Sequence, residues 1–112
     1  FINVVDCARA NVCAMKADVT DKFYNVGRGI RTTIKELAEL LLEITGSTQG
    51  IQYEPAGMTF VKNRIGCPVK ARDEIGFEAK IELRQGLIDL IEWRKNHKSE
   101  VEKRRNEAGI KE

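Results

Sequence analysis

Histidine and tryptophan each occur once in these 112 residues, and proline twice. The scarcity of histidine removes most acid–base and metal schemes at once. His97 lies in a polar C-terminal stretch, and no nucleophile is patterned with it. The three cysteines, Cys7, Cys13 and Cys67, are odd in number and form no C-x-x-C pair. Cys7 and Cys13 are six apart, about 240° around a helix, so they do not share one face as metal ligands would. They read as small core residues of a protein in a reducing cytosol, and no metal site is expected. No apolar run approaches the roughly 20 residues of a membrane span. The opening residues lack the basic and apolar regions of a signal peptide. A surplus of one charge is missing too: 19 Lys and Arg stand against 17 Asp and Glu, interleaved, for a formal net charge of +2. That exerts no strong pull toward nucleic acid or anionic membrane. The chain therefore reads as cytoplasmic, with no membrane partner and no nucleic acid expected.

What is present is ordinary globular material, 42% apolar and 32% charged, in a length that fits one domain. The stretch Phe1 to Val5 reads as a strand, with Asp6 behind it as a helix N-cap. Ala8, Ala10, Val12, Cys13, Ala14 and Met15 then continue as an alanine-rich helix that can lie close against a neighbour. "FYNV" reads as a short strand ended by Gly27. Thr33 and Glu36 have the spacing of a capping box, in which each side chain satisfies the other's backbone N–H. Ile34, Leu37, Leu41 and Ile44 make one apolar stripe behind it, widened by Leu40 and Ala38, and Gly46 stops that helix. "IQYEP" reads as a third strand. Pro68 suits a first helical position, "VKARDEI" makes two turns, and Gly76 ends them. "AKIEL" reads as extended. Leu83, Leu87, Leu90 and Ile91 mark a last amphipathic helix, with Trp93 packed near its middle. From Arg94 the pattern is polar, with i, i+4 pairs such as Glu100 with Arg104 to support a solvated helix. The order β-α-β-α-β-loop-α-(β)-α gives an α/β, or α+β-like, domain.

Two stretches are candidates for binding. "NVGRGIRTTIKEL" sets glycines between a strand and a helix, but lacks both the dinucleotide G-x-G-x-x-G spacing and the P-loop pattern. It is either a glycine turn with a capped helix or a loop that lines a ligand pocket. "TFVKNR" places Lys62 and Arg64 beside an aromatic residue, as phosphate contacts or as solvated surface. The tail "KNHKSEVEKRR" is basic, but Glu100 and Glu102 interrupt it, so it reads as a solvated helix. The residues by themselves show no catalytic machinery.

Taken together, three segments resemble a known family. "FINVVDCARANVCAMK" resembles F-[IV]-x-V-x-D-x-A-x-A. "FYNVGRGIRTTIKELAELLLEITG" resembles Y-N-[VL]-G-x-G-x-x-[ST]-[ST]-[VI]-x-E-[LA]. "KARDEIGFEAKIELRQGLIDLIEWR" resembles K-A-x-x-x-[LI]-G-[FW] followed by a G-L-x-x-x-[IT]-x-W helix. These patterns belong, in this order and over about residues 1 to 95, to the C-terminal half of extended short-chain dehydrogenase/reductases. The group is that of the NAD-dependent nucleotide-sugar epimerases and dehydratases, of the UDP-glucose 4-epimerase type.

The resemblance implies that residues 1–95 are a small nucleotide-sugar-binding region that normally follows a Rossmann domain, and that residues 96–112 are a polar helical tail. It implies that NAD and the catalytic Ser/Thr and Tyr-x-x-x-Lys belong to that Rossmann domain, so that no catalytic residue lies in this chain and the chain alone is inactive. A nucleotide-sugar, with UDP-sugar the first expectation, and the missing Rossmann domain are the implied partners. Phe1 matches an aromatic near the nucleotide, and Ile34 the residue packed on the nucleobase. The family's R-x-G-D arginine is absent from Ala56-Gly57-Met58-Thr59-Phe60, and Lys62 or Arg64 is the expected substitute. Cys67 stands where the family often has Asp. A start inside a strand, without Met, suits a longer chain that has passed into its second part. The alternative is a stand-alone, non-catalytic binding or interaction module with the same fold.

Overall fold

The computed structural model describes residues 1–55 and 63–109. Five helices carry the regular structure of these residues: α1 (Val4–Lys16), α2 (Ile34–Thr45), α3 (Val69–Ile75), α4 (Leu83–Asn96) and α5 (Lys98–Glu107). Helix α1 packs on α3, α2 on α4, and α4 on α5.

Helix α1 begins before Asp6. Asn3 is its cap, and the Asn3 Oδ1 accepts from the Val5 N–H at 2.8 Å. The expected strand Phe1–Val5 is thus corrected: Val4 and Val5 are the first helical turn and stand exposed. An asparagine at the cap and a run of alanines behind it favour helix over a β-rich pentapeptide that has no strand to pair with. The inner face of α1 carries Asp6, Ala10, Cys13 and Ala14. Ala10 meets Ala71 and Ile75 of α3, and two alanines at the crossing let the backbones come close. Gly76 then adopts the left-handed conformation (φ 65°) that caps α3, and the reversal sends Phe77 into the core, where it is 0% exposed. Pro68 is the N-cap of α3 rather than its first helical residue.

The capping box of α2 forms as its spacing requires. Thr33 Oγ1 accepts from the Glu36 N–H at 3.1 Å, and Glu36 Oε2 accepts from the Thr33 N–H at 2.6 Å. The Thr33 backbone N–H, and then its hydroxyl, hold the Glu36 carboxyl below its usual range, against a smaller loss of hydration. Thr33→Ala is expected to cost about 1 kcal/mol, or about 4 °C in Tm by circular dichroism. An unchanged Tm would show that packing on α4 alone holds this helix. Gly46 closes α2 with φ 65°.

No strand occurs among the described residues, so the α/β class is not realised there and the order of described elements is all helical. The segments expected as strands, "FYNV", "IQYEP" and "AKIEL", are present without regular pairing. A β-strand is defined by its ladder partner, and alternation of side chains supplies only half of that requirement. The cysteine expectation is also corrected in part. All three are free, but only Cys13 packs against the core; Cys7 and Cys67 are exposed. The tail is helical and solvated, and Arg104 reaches Glu100 at 2.6 Å.

The core is small for the chain. Among the described residues four make its buried apolar centre. The accessible surface is 9543 Å², where a compact monomer of this mass would show about 6,200 Å². The radius of gyration is 17.4 Å, against about 13 Å for a compact domain of this length. Much of the outer face of α1 is apolar: Val4, Val5, Ala8, Val12 and Met15 all lie exposed. So many exposed apolar side chains on one helix suit a face that a partner covers.

Candidate functional site

The site is organised from Asp6. Its side chain is 1% exposed. One carboxylate oxygen, Oδ2, accepts from the backbone N–H groups of Lys80 at 3.0 Å and Ile81 at 2.9 Å. The other oxygen pairs with the Arg9 guanidinium. Burial pushes the carboxyl up. The Ile81 N–H, Arg9 and the Lys80 N–H outweigh that, and the net effect holds it below its usual range. Arg9 also donates to the Glu78 carbonyl at 2.7 Å, and its guanidinium lies 5.5 Å from the centre of the Phe77 ring. The start of α1 is thereby stapled to residues 77–81, and so the entry into α4 is set.

Glu82, next in the chain, is the N-cap residue of α4 and binds Arg28 through Oε1 to Nη2 at 2.5 Å. Arg28 sits between two glycines. Gly29 has φ +71°, and a Cβ there would meet Pro68 Cδ at 3.0 Å. Only glycine gives this turn without strain, and the close approach to Pro68 fixes where Arg28 stands. Gly86 serves in the same way on α4: a Cβ there would lie 2.9 Å from Asn3 Nδ2, so the α1 cap nests directly on α4.

Between these parts lies a cleft of about 780 Å³. Its walls are mostly apolar, from Phe1 and Ile2 through Leu37, Leu83 and Leu87 to Trp93, with Asn3, Arg28, Glu82 and Asp89 as its polar groups. The Trp93 ring stacks on His97 at a centroid distance of 4.7 Å. That places Trp93 at the rim of the cleft, not in packed core. A polar notch of about 230 Å³, lined by Gly27, Arg28, Arg72, Glu78 and others, adjoins it, with Arg28 common to both.

The structure gathers the residues singled out in the sequence only in part. Phe1 lines the cleft. Ile34, first in α2, is 73% exposed and lies outside it. Arg64 is exposed and lines neither cavity. Lys62 lies outside the described residues. Arg28 is the residue that sequence reading passed over. The two glycines around it were its signal, but its ion pair with Glu82, 54 positions on, is invisible in sequence. Among the described residues no cluster of His, Cys, Asp and Glu could hold a metal ion. The glycine turn does not suit a dinucleotide either. Helix α2 begins five residues after Gly29, and Pro68 occupies the space beside that glycine.

No family profile matches the chain. Individual proteins do. The chain is 32% identical over 98 residues to "Probable GDP-L-fucose synthase 1" of Oryza sativa subsp. japonica, covering 83% of this chain and 28% of that protein. Among solved structures, the UDP-glucose 4-epimerase of Thermotoga maritima, determined with UDP-glucose, matches with a TM-score of 0.81 and 34% identity over 85% of this chain and 30% of that one. The Bordetella bronchiseptica enzyme WbmF, in complex with NAD+ and UDP, matches with a TM-score of 0.80 and 31% identity over 96% of this chain and 33% of that one. The chain thus spans about a third or less of the length of the proteins it matches.

Proposed function

We propose, from the premise that this chain belongs to the extended short-chain dehydrogenase/reductases as the counterpart of their C-terminal part, that it holds the nucleotide-sugar for an NAD-dependent epimerase or a close relative. The observation that carries the reading is the 780 Å³ cleft with Phe1 in its wall, in a chain whose fold matches an epimerase determined with UDP-glucose. Apolar walls and a few polar groups suit a ligand with a flat base, a sugar and charged phosphates.

In this reading residues 1–95 are the part that grips the substrate and residues 96–112 are a polar tail that takes no part in it. Of the residues singled out in the sequence, Phe1 lines the cleft and faces the nucleotide; the roles that the family resemblance gives to Ile34 on the nucleobase, and to Lys62 or Arg64 on the phosphates, belong to this reading without support from the cleft. The cofactor is NAD, which accepts a hydride from a sugar carbon and returns it. This chain has neither Tyr-x-x-x-Lys nor a dinucleotide fingerprint. NAD and the catalytic acid–base groups therefore sit in a Rossmann domain, which covers the apolar outer face of α1. The roughly 3,000 Å² of surface beyond that of a compact monomer supports such a large covering partner. The place of action is the cytoplasm.

The test is a titration of the isotopically labelled chain, followed by nuclear magnetic resonance. UDP-glucose is expected to shift Phe1, Ile2, Leu37 and the Trp93 indole, while NAD alone shifts none of them. No response to UDP-glucose at millimolar concentration would overturn the reading.

A further inference from the structure

The geometry points to Arg28 as the side chain that receives the phosphate of the nucleotide, with the Arg72 notch as the adjoining anion pocket. This assignment rests on the nucleotide-sugar reading and names a residue for its charged end. Three observations carry it. Arg28 is the one basic side chain that lines the cleft among the described residues. It also lines the notch, where Arg72 adds a second guanidinium. And its side chain is only 16% exposed, while its partner Glu82 is 71% exposed.

That asymmetry decides how the pair behaves. Arg28 leaves a turn whose Gly29 stands close against Pro68, and its side chain is mostly buried, so it has little freedom before any ligand arrives. Glu82 is a solvated carboxylate that makes no side-chain cap bond to α4 and can turn to water at little cost. Arg72 pairs with its exposed neighbour Asp73 at 2.9 Å, and Glu78, the carboxylate residue of the notch, acts on it more weakly. A guanidinium fork matches phosphate oxygens two at a time, which one contact to a single carboxylate oxygen does not exploit. A phosphate entering between cleft and notch therefore replaces Glu82 at Arg28, and Glu82 rotates outward. Asp89, the cleft's other carboxylate, accepts from Gln85 at 2.7 Å on α4, away from the notch. The base and sugar are left to the apolar cleft.

The probes are UDP and uridine, titrated by calorimetry onto the whole chain and onto Arg28→Gln, Arg72→Gln and Glu82→Gln. Arg28→Gln is expected to weaken UDP about tenfold or more while leaving uridine unchanged, since a charge-assisted contact is lost. Arg72→Gln is expected to weaken UDP by less. Glu82→Gln removes the competing carboxylate and keeps Arg28, so it is expected to tighten UDP severalfold; this variant does not depend on the fold tolerating an altered arginine. If the wild-type chain binds UDP and neither Arg28→Gln nor Glu82→Gln changes that affinity, Arg28 is not the phosphate residue, and the nucleotide-sugar reading stands. If uridine binds as tightly as UDP, the phosphate assignment is likewise overturned. If the wild-type chain binds neither, both readings fall.

Discussion

Asp6→Ala is expected to destabilise the chain by about 3–5 kcal/mol, close to the whole stability of a small domain. The substitution leaves the Lys80 and Ile81 N–H groups without their acceptor at a position where the Asp6 side chain is 1% exposed, and leaves the partly exposed Arg9 guanidinium with the Glu78 carbonyl alone. Asp6→Asn keeps the shape and one acceptor oxygen but removes the charge facing Arg9, so about half of that loss is expected. The pH dependence has a definite sign. The folded carboxyl titrates below its unfolded value, so the unfolded chain binds more protons in that interval. The stabilisation from Asp6 is therefore complete above about pH 4 and is lost as pH falls through the depressed value. Thermal unfolding between pH 3 and pH 7 checks this. The native chain should lose Tm steeply at the acid end, and Asp6→Asn should start lower and show a flatter curve. Parallel curves for the two proteins would mean that Asp6 is not the titrating anchor.

Phe77→Ala is the second large effect, at about 3–5 kcal/mol by chemical denaturation. Phe77 is one of four residues in the buried apolar centre, and no solvent reaches its ring. Truncation opens a cavity where α1 meets α3. It also removes the ring beneath Arg9 and so disturbs the Asp6 staple. The two losses are therefore coupled. The double variant Phe77→Ala, Arg9→Ala should cost less than the sum of the single ones, because the residues share one contact network. A loss under 1 kcal/mol for Phe77→Ala would mean that the neighbouring half-buried side chains, Ile2 and Val26 among them, close the gap.

Local signals survived into the structure where a single segment could satisfy them. The Thr33–Glu36 box, Gly46 and Gly76 as helix ends, and the short helix after Pro68 all depend on residues within a few positions of one another. The first turn of α1 was misread for an instructive reason. Asp6 and Asn3 are both good caps, and the tertiary structure takes the carboxylate for a different purpose. A buried acceptor was needed for two backbone N–H groups more than seventy residues away, and only a charge with Arg9 beside it meets that need. The strand expectations failed in the same way. Alternating and β-branched residues describe a surface that fits a sheet, but the hydrogen bonds of a sheet come from another segment.

What the sequence by itself determined is the capped start of α2, the glycine stops of α2 and α3, the amphipathic stripe of α4, and the likeness to enzymes that work on nucleotide-sugars. Each of these is a property of short spacing or of ordered motifs, readable one segment at a time. What only the tertiary structure decided is where the segments meet. It set Phe1 into the wall of a cleft, left Ile34 and Arg64 outside it, and brought Arg28 against Glu82 between two cavities. The reason is physical: burial and ion pairing are energies of contact between distant positions. One buried carboxylate, Asp6, fixes the contacts from which this cleft is built.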